Sequence, residues 1–132
     1  MVINCNAIAH VGVRVRDADA ACAFYGQLGF VSVYEDEFDP VIVLRNAAGA
    51  ELNLIVNADT GAGPNVLMDV ACKHPGLTHV ALAVASMDDT LAGLEAAGIA
   101  TTEGPVKLGT GTSVFIRDVD ANVIELTTTE TA

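Results

Sequence analysis

"AIAHVGVRV" (7–15) and "GLTHVALAV" (76–84) are two copies of one strand, each with a histidine at its fourth place. Alternation with period two puts Ala9, Val11, Val13 and Val15 on one face of the first copy and His10, Gly12 and Arg14 on the other. A helix signal follows each copy. Asp17 caps a helix through Gln27, with Ala21, Phe24, Tyr25 and Leu28 near helical spacing and Gly29 as its stop; Ser86 or Asp88 opens the second, with Leu91, Leu94 and Ala97 inward and Gly98 closing it. Strands are expected after the first helix at 30–35, 40–46 and 50–57, and after the second at 99–103, 112–118 and 122–128. His79 minus His10 gives 69, and Gly98 minus Gly29 gives 69 again. The chain is therefore a duplicated half-fold.

The order βαβββ, met twice, predicts an α+β class built from two tandem modules. Their bounds are about 5–58 and 76–130, joined by a turn-rich linker or lid at 59–75, in a single domain over 1–132. One sheet face of such a module is covered by its helix and the other is open. Pairing two modules predicts a curved mixed sheet with a concave cup, into which both histidines point.

Composition narrows the partners. Six basic against seventeen acidic residues give a net charge of -11, which repels nucleic acid and anionic lipid at long range. No apolar run approaches the roughly 20 residues a bilayer needs, and "MVINCNAIAH" has no basic stretch followed by a long apolar run, which argues against a secretory signal, so a cytoplasmic location is expected. The cysteines Cys5, Cys22 and Cys72 form no CxxC pair, which predicts buried free thiols rather than a disulfide framework. A small molecule or a metal is the partner that fits.

A lone strand histidine is more often hydrogen-bonded scaffolding than a ligand, but two at equivalent places of a repeat suggest convergence on one point. Hence His10 and His79 are candidate metal ligands. In "NVIELTT", Val123, Glu125 and Thr127 share one face while Ile124 and Leu126 go to the core. A carboxylate among apolar neighbours needs a cation or a proton, so Glu125 is the third candidate ligand; the plain alternative is a glutamate facing water. Aligning "RDVDANVIEL" with "RNAAGAELNL" sets Asn53 opposite Glu125. Its amide oxygen can coordinate a cation but cannot act as a strong base. Glu51 lies two places earlier on that face, about 6.6 Å along the strand.

At these residues the chain resembles the vicinal oxygen chelate superfamily, and within it bacterial glyoxalase I. The resemblance rests on "HVGVRVRDADAACAFYGQLGF", on "THVALAVASMDDTLAGLEAAGI" and on "SVFIRDVDANVIEL", which together span nearly the whole chain. It implies a divalent metal (nickel, zinc, manganese, iron or cobalt) held by His10, His79, Glu125 and Asn53, with Glu125 as the catalytic base. It implies substrate contacts at Arg14 and Asn57, and at Lys107 and Phe115 in "EGPVKLGTGTSVFIRD", a stretch similar to the one that closes over glutathione. The implied reaction isomerises the hemithioacetal of methylglyoxal and glutathione to lactoylglutathione by moving one proton between neighbouring carbons. The family enzyme has a glutamate where this chain has Asn53, which removes one charge and one proton acceptor. A homodimer is also implied.

Rival readings come from the same superfamily. Two histidines and a carboxylate suit extradiol-type dioxygenases, though those draw all three ligands from one module. Fosfomycin-type thiol transferases split the set between halves, as here. Bleomycin-resistance-like proteins bind a cationic drug without a metal, which the acidic balance would suit.

Overall fold

The computed structural model describes residues 1–61 and 63–129. The chain divides into two compact units, Met1–Thr60 and Gly61–Ala132. In the first, β1 (Val11–Arg14) leads to helix α1 (Ala18–Gln27), then β2 (Val31–Glu35), β3 (Val41–Arg45) and β4 (Glu51–Ile55). In the second, β5 (His79–Ala83) leads to helix α2 (Met87–Ala97), then β6 (Glu103–Leu108), β7 (Gly111–Arg117) and β8 (Val123–Thr129). Each unit forms its own four-stranded sheet, ordered β1-β4-β3-β2 and β5-β8-β7-β6. The βαβββ module thus occurs twice, as the repeat predicts, and the class is α+β.

In both sheets the first and last strands pair in parallel and the rest antiparallel. A parallel pair needs a crossover connection, which the helix supplies. Alternation holds where it was expected. Val13 and Val15 are buried while Arg14 is exposed, and Leu52 and Leu54 are buried between half-buried Glu51, Asn53 and Ile55. In the second unit Val114, Ile116, Ile124 and Leu126 form the corresponding layer. Burial of each such side chain contributes about 1.5–3 kcal/mol. Against the first layer lies α1, whose Ala21 and Tyr25 are fully buried; the Tyr25 ring meets Phe30 edge to face at 6.5 Å.

The helix ends follow the sequence signals. The Asp17 side chain accepts from Ala20 N at 3.0 Å, and Ser86 Oγ accepts from Asp89 N at 3.1 Å. Gly98 ends α2 with φ 71, a left-handed conformation that costs glycine nothing.

Three expectations need correction. First, the strand expected at 99–103 begins instead at Glu103 and continues through "GPVKL". Glycine and proline argue against a strand only in a regular ladder; here the β6–β7 register shifts between Glu103 and Val106, and the bulge accommodates both. Gly104, with φ 90, lies so close to β7 that an added Cβ would meet Ser113 O at 2.6 Å. Second, Ala97 is exposed: Leu94 is the buried residue of α2, with Leu91 half-buried. Third, the thiols are free but not buried, since Cys5 and Cys72 are exposed and Cys22 is intermediate. Among the described residues, no helix is long and apolar enough to cross a membrane.

Candidate functional site

The open face of the second sheet carries the most developed constellation. His79 opens β5 and Glu125 sits in the middle of β8, where the parallel register pairs Ala81 with Glu125. The two side chains lean toward each other and bring His79 Nε2 to 3.0 Å from Glu125 Oε1. Both ends of this pair are held. Thr78 Oγ1 lies 2.9 Å from His79 Nδ1, and Ser113 Oγ donates to Glu125 Oε2 at 2.7 Å. Ser113 has a single proton, so its 2.8 Å bond to Thr127 Oγ1 uses the threonine's proton once the carboxylate has taken its own. Because a carboxylate only accepts, Nε2 carries a proton in this arrangement, and in the neutral ring Nδ1 accepts from Thr78 Oγ1.

Ser113 is fully buried and Phe115, two places on, faces the same side of β7; the antiparallel register sets Ser113 opposite Thr127 and Phe115 opposite Glu125. The Phe115 ring meets His79 at 5.9 Å, 68° from coplanar. Beside them opens a cavity of about 370 Å³ lined by Met68, Thr78, His79, Thr102, Glu103, Phe115, Arg117 and Val123.

One wall of that cavity comes from outside the sheet. Asn65 nucleates a turn, its Oδ1 accepting from Leu67 N and Met68 N. Asp69, at the end of the turn, meets Arg117 of β7 with two parallel bonds, Nη1 to Oδ2 and Nη2 to Oδ1, both 2.8 Å. This fork is the strong geometry for a guanidinium and a carboxylate. The Arg117 hydrogen bonds, joined by one from Asn65 N, hold the Asp69 carboxyl down at about 2, and Asp69 in turn raises Arg117. Arg117 Nη1 and Asn65 Nδ2 both donate to Ala121 O, at 3.0 and 3.1 Å. The turn is thereby fastened to the second sheet with Met68 against the cavity.

The first unit places its candidates differently. The register pairs Gly12 with Asn53 and Val43 with Asn53, as it pairs Ala81 and Phe115 with Glu125, so Asn53 is the structural counterpart of Glu125. His10, just ahead of β1, does not pair with Asn53; its Nδ1 lies 3.6 Å from Glu51 Oε2, and Glu51 Oε1 accepts from Arg45 Nη2 at 2.8 Å. Asn53 Oδ1 is buried and has no hydrogen-bond partner among the described residues. Arg14 and Asn57, singled out together in the sequence, do meet: Arg14 Nε donates to Asn57 Oδ1 at 3.1 Å. Lys107 is exposed on β6, opposite Thr112.

The sequence reading missed Thr78, Ser113 and the Asp69 to Arg117 fork. Ser113 was legible in principle, because alternation through "TSVFIR" puts it on the Phe115 face, opposite the strand of Glu125. The fork had no signal, since its partners are 48 residues apart. Among the described residues, no group of three or more His, Cys, Asp and Glu side chains is gathered closely enough to hold a metal ion. Within that limit, His79 and Glu125 stand together as a pair.

The family model for the Glyoxalase/Bleomycin resistance protein/Dioxygenase superfamily matches residues 7–126. Solved structures with the same fold include a glyoxalase/dioxygenase from Nostoc punctiforme, 22% identical, with a TM-score of 0.77 over 96% of this chain and 92% of that one. A glyoxylase/bleomycin resistance protein/dioxygenase domain from Frankia sp. EAN1pec is 23% identical, with a TM-score of 0.77 over 96% of this chain and all of its own. A genomically encoded fosfomycin resistance protein from Listeria monocytogenes is 18% identical, with a TM-score of 0.69 over 93% of this chain and 91% of its own. No curated protein sequence matches the chain.

Proposed function

Because the chain belongs to the glyoxalase/bleomycin resistance/dioxygenase superfamily, we propose that it is a metal-dependent lyase or isomerase of the glyoxalase type. Its substrate is a small oxygenated molecule, with a glutathione hemithioacetal as the first candidate. The observation that carries this reading is the His79 to Glu125 pair, anchored at both ends and set beside a cavity.

The residues suit a divalent cation. Imidazole and carboxylate are donors for nickel, zinc, manganese, iron or cobalt. Thr78 Oγ1 can accept a hydrogen bond from Nδ1–H as readily as donate one, so the ring can free Nε2 for a metal without losing its anchor. In the first unit, the buried Asn53 Oδ1, without a hydrogen-bond partner among the described residues, is an acceptor that a cation would satisfy. The proposed donor set is His79, Glu125, His10 and Asn53. A bound cation would polarise adjacent substrate oxygens and lower the cost of negative charge on them.

Glu125 then moves the proton. It takes a proton from the hydroxyl-bearing carbon beside a carbonyl, breaking that C–H bond, and returns it to the former carbonyl carbon while the hydroxyl proton passes to the other oxygen, so that the exchange is redox-neutral overall. Ser113 keeps the carboxylate aimed while its Oε1 is engaged elsewhere. Phe115 packs against the reacting end, and Arg14, oriented by Asn57, and Lys107 are the proposed contacts for a substrate carboxylate. A cytoplasmic homodimer completes the reading.

A screen of metal-loaded protein against the hemithioacetal, fosfomycin plus thiol, and catechol tests it. Turnover of the hemithioacetal is expected, with loss of about 100-fold or more in Glu125→Gln and His79→Ala and with cooperative unfolding retained in both. Turnover of fosfomycin or catechol alone would assign the thiol-transferase or dioxygenase chemistry instead. A protein that retains no metal and turns over none of the three is a binder.

A further inference from the structure

We infer that the cavity beside His79 admits an uncharged, apolar-flanked oxygenated group and turns away carboxylates and phosphonates. The inference rests on the reading above for placing chemistry beside His79, and it names the kind of group that enters.

Arg117 is the sole cationic side chain among the residues that line the cavity. Left alone it would be an anion site, because a guanidinium presents paired donors that match a carboxylate or phosphonate. Here that edge is taken. Asp69 occupies Nη1 and Nη2 together, at 2.8 Å each, and Ala121 O accepts from Nη1 as well. The remaining charges are negative: Glu103 lines the cavity, and Glu125 stands behind His79. An arriving anion therefore meets Glu103 beside a guanidinium whose charge and forked end are already engaged by Asp69, inside a molecule of net charge -11.

What does line the space is apolar and hydroxylic. Met68, Phe115 and Val123 supply the apolar part, and Thr78 and Thr102 carry hydroxyls. Thr102 Oγ1 donates to Phe115 O at 3.0 Å, and Thr78 Oγ1 is bound to His79, so each keeps acceptor capacity for a substrate hydroxyl. Such a lining favours a neutral group with a short apolar flank and oxygens to hydrogen-bond. A hemithioacetal meets this at its reacting end, whose charges lie far away on the peptide. A phosphonate epoxide does not.

Matched probes test the claim on chelator-treated protein, so that its outcome is independent of turnover. Phenyl-1,2-ethanediol is neutral; mandelate has the same skeleton with a carboxylate. NMR titration should show the diol shifting the Phe115 ring and Met68 methyl signals, with mandelate weaker by about tenfold or more. In Asp69→Asn, which releases Arg117, the mandelate deficit should shrink at least about threefold. Glu103→Gln, at an exposed strand position away from the fork, should shrink it too, and covers the case in which the Asp69 variant loses its turn. Mandelate binding within about threefold of the diol in the native protein overturns the inference, as does a deficit unchanged in Glu103→Gln. If the diol binds selectively and the metal-loaded protein still turns over nothing, the charge rule stands and the catalytic reading falls.

Discussion

At the scale of single residues, the site depends on hydroxyls that hold the acid and base groups still. Ser113 is the clearest case: it is fully buried, and its one proton goes to Glu125. Ser113→Ala leaves a carboxylate oxygen and the Thr127 hydroxyl without that partner, at a cost of about 1–3 kcal/mol. Urea denaturation should register this loss, and Ser113→Thr, which keeps the hydroxyl but crowds the strand, should recover less than all of it. The residues the sequence exposed were those with a fixed period or an alignable twin, such as His79, Glu125 and Asn53. Those it concealed act across long separations, as Asp69 and Arg117 do, because contact at a distance leaves no local pattern.

Among elements, legibility followed local chemistry. Caps at Asp17 and Ser86 and the stop at Gly98 were readable because each satisfies backbone groups within one turn of the helix. β6 was misplaced because "GP" breaks regular ladders but not bulged ones, and a bulge depends on the neighbouring strand. A measurable consequence attaches to Gly98. A Cβ there meets nothing within 4 Å, so Gly98→Ala tests backbone strain without any clash. It should destabilise the protein by about 1 kcal/mol, read as a lower midpoint in thermal or urea unfolding. No change would show that the left-handed cap is not kept in solution.

For the molecule as a whole, the repeat order was open to inspection because duplication copies every signal twice. The division into Met1–Thr60 and a second unit from Gly61 bears on proteolysis. Residues 57 and 59–61 are exposed and outside any helix or strand, whereas the turn after Asn65 is fastened through Asp69 to Arg117. Proteinase K at low concentration should therefore cut first within 57–61 and spare 65–70, as mass spectrometry of the fragments would establish. First cleavage at 65–70 would mean that the fork opens readily.

Asn53 and Glu125 occupy the same rung of equivalent ladders, each flanked by a parallel first strand and an antiparallel third. The halves are two sockets cast from one mould, with a different plug in each and different neighbours on either side of it. Descendants of such a duplication can trade a proton-handling side chain from one socket to the other while neither backbone changes course, so chemistry can migrate across the ancestral seam faster than architecture does.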